Sequence, residues 1–280
     1  MATNYSKTQR DRLIELGADV RETLSEFVDV QTREDSFRAR EKELAATARK
    51  TLGQHLSEKH IPDTAAIIAD LERWLVEDEG FTKVVTSTII PVGMLDKMSI
   101  SDEAPLRAQV FSVDKGRCLR PMLAPSLYVL MRELHRITCA PVRIFECGSC
   151  FRKETQGAQH MNEFTMLNFV EFAACKDGEQ PSRLKTLAAA AMRAVGIDDY
   201  TFEDEGSVVY GETLDIVAGD IELASGSFGP HSLDGNWGVF EPWVGFGFGI
   251  ERIAMVKGGH STIKRVGRGT DFIDGIPLHI

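Results

Sequence analysis

Three alternating glycines lead directly into a predicted helix in the segment Gly245-Phe246-Gly247-Phe248-Gly249-Ile250-Glu251-Arg252. Alternate residues of a β-strand lie on one face, so these glycines would leave one face of a sheet without side chains. A bare backbone can approach a flat or highly charged ligand closely, and the arginine that follows can stack on a ring or bind a phosphate. The segment therefore predicts a strand at the floor of a ligand site, followed by a helix.

A second arginine follows a β-like run in the tetrapeptide Phe151-Arg152-Lys153-Glu154. Arg152 precedes a polar loop and is placed to hold a phosphate on which negative charge develops. Glu154 lies two residues on, so it points to the same side of an extended chain and could accept a hydrogen bond from an adenine amino group. Taken alone, the tetrapeptide is weak, because a surface arginine in an ion pair is the commoner reading.

Three further residues fit a nucleotide site. Phe164 and Arg252 could stack on the two faces of an adenine, one by its ring and the other by its guanidinium group. His160 belongs to the polar loop and could reach the distal phosphates, although a lone loop histidine is usually just polar surface. ATP is favoured as a ligand because these three residues occur together with Arg152 and Glu154, in this order and in matching predicted elements.

A possible magnesium site lies on a late predicted strand. Glu222 and Ser225 are three residues apart, with Asp215 and Asp220 nearby. Magnesium prefers hard oxygen ligands and retains several waters, so a carboxylate and a hydroxyl suffice to hold it beside phosphates. Without the two arginines, this pair would be nearly uninformative.

The order of predicted elements indicates an α+β fold, with an antiparallel sheet flanked by helices and a helical N-terminal extension. We predict a helical appendage over residues 1–60, a candidate for tRNA contact, and a catalytic domain over 61–280. The predicted helices cover 6–17, 35–52, 63–78, 125–137, 181–195 and 250–257. The predicted strands cover 84–86, 88–90, 108–114, 117–120, 142–153, 164–175, 200–203, 207–210, 213–218, 220–225, 237–240 and 245–249.

Composition narrows the class of protein. The net charge of −10 argues against binding nucleic acid by bulk electrostatics, although residues 1–60 are near neutral and the tail carries several cations. The sequence has no apolar run of membrane-spanning length, and its polar first residues predict that there is no signal peptide. Five cysteines, an odd number, indicate reduced thiols and a cytoplasmic location. The lone pair Cys147 and Cys150 has no second pair at metal-ligand spacing, so two strand cysteines are the simpler reading.

Several longer segments resemble the pyrrolysyl-tRNA synthetase family, which belongs to the class II aminoacyl-tRNA synthetases. The resemblance is dense from about residue 80 to residue 280. It implies the class II fold, ATP and Mg²⁺, a pyrrolysine-like amino acid, a cognate tRNA and a homodimer. For the small N-terminal tRNA-binding domain of longer members, two expectations stay open: a separate N-terminal tRNA-binding subunit, or no such domain. The matching segments are Cys118–Pro125, Arg143–Glu146, Phe151–Glu154, Glu163–Phe169, Val209–Gly211 and Glu222–Ser225.

The resemblance also implies roles for individual positions. Arg152 and Arg252 would be catalytic, and Asn168 would donate from its side-chain amide to a carbonyl group of the substrate. Tyr210 would cover the substrate as a mobile cap. The implied ATP-binding residues are Arg152, Glu154, His160, Phe164, Glu222, Ser225 and Arg252, with Glu222 and Ser225 also holding Mg²⁺. The implied amino-acid-binding residues are Ala124, Leu127, Tyr128, Met131, Asn168, Val170, Tyr210, Ser227, Trp243 and Gly245.

Residue chemistry agrees with a long apolar substrate side chain carrying one polar link, because the pocket residues are mostly apolar with one amide. Without the resemblance, core packing would explain most of them. Ser126, Val170, Ser227, Phe228 and Phe246 differ from the residues usual in the family, so the preferred side chain among N-ε-acylated lysines stays open. Two alternatives to the synthetase also stay open. One is a tRNA-independent ligase that adenylates an amino acid, and the other is a non-catalytic paralogue that senses one.

Overall fold

The computed structural model describes residues 3–153, 157–207 and 210–280, and it divides the chain into two compact units. One unit combines Met1–Asp63 with Lys264–Ile280, and the other is Thr64–Ile263. The sequence prediction instead divides the chain after residue 60 and assigns the whole tail to the catalytic domain. The two divisions differ mainly in where they place the last residues of the chain.

Eight α-helices and thirteen strands are found in the described residues. The helices are α1 Lys7–Glu15, α2 Val30–Glu58, α3 Asp63–Arg73, α4 Gly93–Lys97, α5 Pro105–Ala108, α6 Ala124–Thr138, α7 Gln180–Val195 and α8 Ile250–Lys257. The strands are β1 Thr3–Asn4, β2 Glu26–Phe27, β3 Thr82–Lys83, β4 Ile89–Pro91, β5 Arg117–Leu119, β6 Val142–Phe151, β7 Glu163–Phe172, β8 Thr201–Ser207, β9 Gly211–Ala218, β10 Ile221–Gly229, β11 Trp243–Gly249, β12 Phe272–Ile273 and β13 Ile276–Pro277.

In the smaller unit, local capping sets where the helices begin. Ser6 and Gln9 form a reciprocal capping box at the start of α1. The side chain of Asp29 accepts the backbone N–H of Thr32 at 2.7 Å, and α2 begins there. This cap explains why α2 starts earlier than the predicted residue 35. A small core packs beneath the helices, formed by Tyr5, Leu13 and Ala18 with Phe27, Phe37 and Leu44.

The C-terminal tail belongs to the smaller unit because Arg265 bonds to the end of α1. This buried arginine donates to the carbonyl groups of Ile14 and Glu15, the latter at 3.0 Å. A cation at a helix C-terminus satisfies carbonyl groups that have no partner within the helix. The side chain of Arg265 also stacks on Phe272, with its guanidinium carbon 5.0 Å from the ring centre. The sequence alone does not predict this contact, because nothing near Arg265 in the chain indicates that its partner is the end of α1.

The larger unit is built on a seven-stranded sheet in the order β3-β6-β7-β11-β10-β9-β8. All neighbouring strands in it are antiparallel except β3 and β6, which are parallel. The predicted antiparallel sheet flanked by helices is therefore confirmed, with one parallel pair at its edge. Helix α6 packs against β6 and β7, while α7 contacts β10 and β11.

The amphipathic segment after residue 63 is helical as predicted, but it changes form partway. Helix α3 is continued by a π-helical turn over Trp74–Asp78, and Gly80 follows with a φ of 71°. Ile67, Leu71, Trp74 and Leu75 are buried along its apolar face. The helical spacing of apolar residues therefore predicted the buried face correctly, but it did not predict the π-helical turn at the end.

Three predicted strands are wrong. Residues 84–86 hold no strand, because β3 is Thr82–Lys83 and ends before them. The segment predicted as a strand over 237–240 follows a 3₁₀ helix, Ser232–Trp237, which begins where His231 accepts the backbone N–H of Leu233. Residues 108–114 hold no strand, and only an isolated bridge joins Ser112 to Cys118, since β5 pairs with β4 instead. Short apolar runs cannot distinguish a strand from a buried irregular segment.

None of the helices in the described residues is both long enough and apolar enough to span a membrane.

Candidate active site

Two adjoining cavities lie over the sheet face that carries the glycines of β11. The larger is a cleft of about 720 Å³, and the smaller is a pocket of about 80 Å³. A polar cleft that opens into a small apolar pocket suits a ligand with a charged end and an apolar end. The residues lining both cavities are Ala124, Asn168, Tyr210, Thr213, Ser225 and Gly247.

The glycines of β11 leave little room for side chains at the floor of the site. Gly247 lies between Asn168 of β7 and Ser225 of β10 in the sheet register. A Cβ atom added at Gly247 would lie 2.8 Å from Nδ2 of Asn168, and one at Gly245 would lie 3.0 Å from the carbonyl oxygen of Phe169. A side chain at either position would therefore displace its neighbours at the floor of the site.

Arg152 is held at the edge of the cleft by its backbone and its side chain. Its N–H donates to the carbonyl of Asn162 at 3.0 Å, which extends the pairing of β6 and β7 by one residue. Its Nε donates to the carbonyl of Pro121 at 3.0 Å, and its guanidinium carbon lies 5.2 Å from the ring centre of Phe164. These contacts fix the direction of the guanidinium group, which can bind an anion in the cleft.

Arg252 enters the cleft from the first turn of α8, immediately after the glycine strand. Its Nη1 donates to the carbonyl of Glu222 at 3.0 Å and lies 3.3 Å from the carboxylate of the same residue. Glu251, the residue before it, is buried and accepts the backbone N–H of Thr165 at 2.9 Å and the hydroxyl of Thr165 at 2.7 Å. This buried carboxylate joins β7 to the start of α8 and so sets the position of Arg252.

The structure brings the predicted nucleotide residues together wherever it describes them. His160 is an exposed residue of the loop between β6 and β7, and it also faces the cleft. Glu154 lies outside the described residues. The predicted residues that line the cleft are Arg152, His160, Phe164, Glu222, Ser225 and Arg252.

Sequence reasoning gave no role to several acidic residues that face the same cleft. Glu203 and Glu205 alternate along β8, and their cross-strand partners on β9 are Asp215 and Thr213. The signal was present in the alternation, because residues two apart on a strand share a face. The acidic lining residues are Glu203, Glu205, Asp215, Asp220, Glu222 and Glu251.

The cleft's donor set fits magnesium. Glu222 offers a carboxylate and Ser225 a hydroxyl, both on β10 and both facing the cleft. Asp215 is the cross-strand partner of Ser225, and its buried Oδ1 has no hydrogen-bond partner in the described residues. Hard oxygen donors of this kind are those that magnesium prefers.

The apolar pocket is lined by every residue that the sequence analysis assigns to the amino acid. Four of these residues come from α6, and the other six come from the sheet and from the segment before β9. The full predicted set that lines the pocket is Ala124, Leu127, Tyr128, Met131, Asn168, Val170, Tyr210, Ser227, Trp243 and Gly245. Asn168 has a buried Oδ1 without a hydrogen-bond partner in the described residues, so it can take part in an amide contact.

A buried carboxylate that sequence reasoning missed holds the pocket's aromatic walls. Asp234 is 1% exposed and accepts the hydroxyl of Tyr128 at 2.8 Å, the indole N–H of Trp243 at 2.9 Å and the backbone N–H of His231 at 2.8 Å. Burial, with Tyr210 and Asp234 nearby, raises the pKa of Tyr128 well above its usual range. The Tyr128 and Trp243 polar groups are thus directed to Asp234, and the pocket presents mainly hydrocarbon.

A second buried network supports the entrance to the site. Arg120 and Glu146 are 3% and 1% exposed and form an ion pair at 2.6 Å. Glu146 also accepts the backbone N–H and the hydroxyl of Thr86, at 3.0 and 2.7 Å. The carbonyl of Arg120 accepts the N–H of Phe151, so the network sits directly beside the strand end that carries Arg152. A buried pair with additional hydrogen bonds fixes geometry better than an isolated pair would.

The fold and the cleft define a class. Residues 34–207 match the family described as "tRNA synthetases class II core domain (F)". The mixed sheet flanked by helices agrees with this match. The chain therefore carries a class II aminoacyl-tRNA synthetase core.

Solved structures give the particular family. A structure of a Desulfitobacterium hafniense pyrrolysyl-tRNA synthetase is 43% identical, covers 99% of each chain and superimposes with a TM-score of 0.90. A crystal structure of pyrrolysyl-tRNA synthetase from the same organism gives a TM-score of 0.91 at the same identity and coverage. This chain belongs to the pyrrolysyl-tRNA synthetase family, and the membership supports aminoacyl-tRNA ligase activity.

A more distant curated relative is the O-phosphoserine–tRNA(Cys) ligase of Methanoregula boonei. It is 23% identical over 248 residues, which are 83% of this chain and 40% of that protein. The chain thus spans less than half the length of this relative.

Proposed function

We propose that the chain adenylates pyrrolysine, or a related N-ε-acylated lysine, with ATP and transfers it to a cognate tRNA. The observation that carries this proposal is the junction of the two cavities on one sheet face. The cleft offers two arginines and a magnesium-type donor set, while the pocket offers an apolar wall with one amide. The 43% identity to pyrrolysyl-tRNA synthetases over the whole chain supports the substrate class.

ATP lies in the cleft in this proposal. Phe164 and Arg252 stack on the adenine, while Arg152 binds the α-phosphate and neutralises the charge that develops there. The substrate carboxylate attacks the α-phosphorus in line, forming a carboxyl–phosphate bond as the bond to pyrophosphate breaks. Arg152 is assigned to the α-phosphate because it lies at the edge of the cleft, where contacts with Pro121 and Phe164 hold its guanidinium group in place.

Glu222 and Ser225 would hold magnesium against the β- and γ-phosphates, with His160 directed to the same end of the nucleotide. The ion would neutralise the phosphate charge when bound. No covalent nucleophile from the protein is required, since positioning and electrostatic stabilisation suffice for this transfer.

The amino acid places its side chain in the pocket. Asn168 bonds to the amide link of the side chain, and Tyr210 closes over it. Tyr210 lies beside Trp243 and His231, with ring centres 6.4 and 5.6 Å apart, which suits a wall that covers an apolar chain. The tRNA 3′ hydroxyl then attacks the carbonyl carbon of the adenylate, and AMP leaves.

The remaining partners belong to the same proposal. The near-neutral helical unit contacts the tRNA, and a separate N-terminal tRNA-binding subunit would complete recognition. A second copy of the chain pairs through α3 and the strand that follows it, giving a homodimer. A cytoplasmic location agrees with the five free cysteines.

The test is amino-acid-dependent exchange of pyrophosphate into ATP across a panel of N-ε-acylated lysines. Natural amino acids, including lysine itself, serve as controls. Exchange with acylated lysines alone is the expected result. Exchange with a natural amino acid, or with none of the panel, would contradict the proposed substrate class.

Two further measurements separate the alternatives. A tRNA gel-shift with the isolated chain at low salt tests the acceptor, and absence of binding would favour an amino-acid ligase that does not use tRNA. Equilibrium binding of ATP tests the non-catalytic alternative, because a sensing paralogue would not require the nucleotide.

A further inference from the structure

Two tight turns bring a histidine and an aspartate together in the smaller unit. Asp274 and Gly275 form the turn between β12 and β13, with φ angles of 44° and 81°. Two successive residues with positive φ are typical of a type I′ hairpin turn, for which Asp-Gly is a preferred pair. Lys59 ends α2 in the left-handed conformation, and His60 follows it. Nε2 of His60 lies 2.5 Å from Oδ2 of Asp274, so the two turns meet at a hydrogen bond.

A second aspartate completes a group that we call the tail cluster, which consists of His60, Asp63 and Asp274. One side-chain ligand atom of each residue lies within 4.8 Å of the ligand atoms of the other two. Asp63 is the first residue of α3, and its backbone N–H donates to Oδ1 of Asp274 at 3.3 Å. An imidazole nitrogen and two carboxylates at this spacing are a donor set for a divalent metal ion.

The tail cluster has more negative charge than its own cation can compensate. Even a protonated His60 balances only one of the two carboxylates, and the N-terminus of α3 supplies about half an elementary charge. In the described residues, His60 pairs with Asp274, whereas Asp63 makes no ion pair. The nearby Arg265 donates to the carbonyl of Gly275 at 2.6 Å, and its other described hydrogen bonds also go to carbonyl groups. A divalent cation would balance the remaining charge.

Burial and access both suit an ion at this position. The side chain of Asp274 is 9% exposed and that of His60 is 27% exposed. A nearly buried carboxylate gains from a cation that replaces its lost hydration, while the more exposed imidazole leaves a path from solvent. The ring of His60 also stacks on that of His55, with ring centres 3.9 Å apart and planes at 12°. This stacking limits the orientations of the imidazole and so prepares it as a ligand.

The donor types favour a transition metal over magnesium. Imidazole nitrogen suits zinc and its neighbours, whereas magnesium prefers oxygen ligands alone. A tetrahedral ion with bonds of about 2.1 Å has its ligand atoms about 3.4 Å apart. The 2.5 Å between His60 and Asp274 would then widen by about 1 Å, which the exposed His60 side chain can provide by rotating. Three protein ligands leave one position for water.

We propose that the tail cluster binds a divalent transition-metal ion, of which zinc is the best match, with water as the remaining ligand. The ion would hold the turn between β12 and β13 to the segment that joins α2 to α3, although His60 and Asp274 are 214 positions apart in the chain. The tail cluster shares no residue with the cleft or the pocket, so this inference does not depend on the proposed function.

The first test is isothermal titration of zinc into the metal-free full chain, without nucleotide. We expect Asp274→Asn and His60→Ala to bind zinc at least about tenfold more weakly than wild type, because even outer partners of a metal ligand contribute that much. The matched controls are Asp271→Asn and His279→Ala, which change a second histidine–aspartate pair of the same tail, 3.2 Å apart. They should bind zinc like the wild type. Equal weakening in all four variants would assign binding to the general charge of the tail and overturn the proposal, as would unchanged affinity in all four.

Cobalt tests the ligand type, because the chain also has five free cysteines that could bind zinc. Nitrogen and oxygen ligands give Co²⁺ visible d–d bands without the intense near-ultraviolet bands of a thiolate complex. We expect these visible bands in wild type and Asp271→Asn, and their loss in Asp274→Asn. Thiolate bands that persist in Asp274→Asn would assign the metal to cysteine and overturn the proposal.

A wild-type crystal soaked in zinc gives a readout that does not depend on a variant folding. An anomalous peak about 2.1 Å from Nε2 of His60 and from a carboxylate oxygen of both Asp63 and Asp274 supports the proposal. A peak that lacks any of these three ligands overturns it, as does the absence of a peak at the tail cluster.

Discussion

The cleft and the pocket share one sheet face but differ in how their polar groups are paired. In the cleft, the buried Oδ1 of Asp215 has no hydrogen-bond partner among the described residues. In the pocket, the polar groups of Tyr128 and Trp243 are bonded to Asp234, and the Oδ1 of Asn168 is the atom left without a partner among the described pocket residues. We therefore expect ligand binding to complete the electrostatics of the cleft, and we expect the aromatic walls of the pocket to be preformed.

We expect the largest loss of activity from a substitution in the cleft. Arg152→Ala removes the cation assigned to the α-phosphate, and we expect a loss of about 10³-fold in pyrophosphate exchange. The thermal midpoint should change little, since Arg152 lies just after the end of β6 at the edge of the cleft and not in the core. Exchange at the wild-type rate would remove Arg152 from the mechanism.

Two glycine substitutions test whether the two sheet faces divide function from stability. Gly247→Ala places a methyl group 2.8 Å from Nδ2 of Asn168 on the ligand face, so KM for the amino acid should rise at nearly unchanged stability. Gly226→Ala places it against the buried ring of Phe246 on the opposite face, and should cost about 1–3 kcal/mol of folding free energy. The measurements are exchange kinetics and urea unfolding of both variants. Equal loss of stability in the two would contradict the division.

Asp234→Asn tests whether the pocket is preformed. The amide cannot accept the Tyr128, Trp243 and His231 donors equally well, so we expect a loss of about 1–3 kcal/mol and a raised KM for acylated lysine. The KM for ATP should be unchanged, because Asp234 is not among the residues that line the cleft. Tyr128→Phe should have a smaller effect, since it removes only one of the hydrogen bonds that Asp234 accepts. A KM for ATP that rises as much as that for the amino acid would show that the two cavities do not act separately.

The smallest effect concerns pH. Burial lowers the pKa of His231 in the folded protein, and the nearby Asp234 carboxylate opposes this shift. A lowered pKa means that the unfolded chain binds the proton more readily, so stability is full above about pH 6.5 and falls as the pH drops through the folded pKa. We expect wild type to lose up to about 1 kcal/mol more than His231→Gln between pH 7.5 and 5.5. The free energy of unfolding of both proteins is measured with urea at each pH. An equal change in wild type and His231→Gln over this range would contradict the assignment.

The sequence predicted the fold where periodicity was strong. The alternating glycines of β11 and the apolar face of α3 carry their own geometric signal, and both elements lie where the pattern places them. The strand predicted over 237–240 failed because a buried irregular segment has the same apolar composition as a short strand. The extent of α2 was underestimated because its caps, Asp29 and the left-handed Lys59, are single residues.

The site was predictable through its exposed chemistry and its resemblance to a family, but its supports were not. Arg152, Phe164 and Arg252 stand in recognisable segments, and the structure brings them to one cleft. Asp234, Glu251 and the Arg120–Glu146 pair act through contacts between residues distant in the chain. Their side chains show no local pattern, because their partners are chosen by the fold and not by sequence spacing.

The bond between Glu251 and Thr165 connects the two residues that we propose to stack on the base. Thr165 follows Phe164 in the chain, and Glu251 precedes Arg252, so one carboxylate joins the immediate neighbours of both residues. In the proposed site, this bond would fix the width of the slot between Phe164 and Arg252. A variant without the bond would keep every residue assigned to ATP and would nevertheless discriminate less between bases of different thickness.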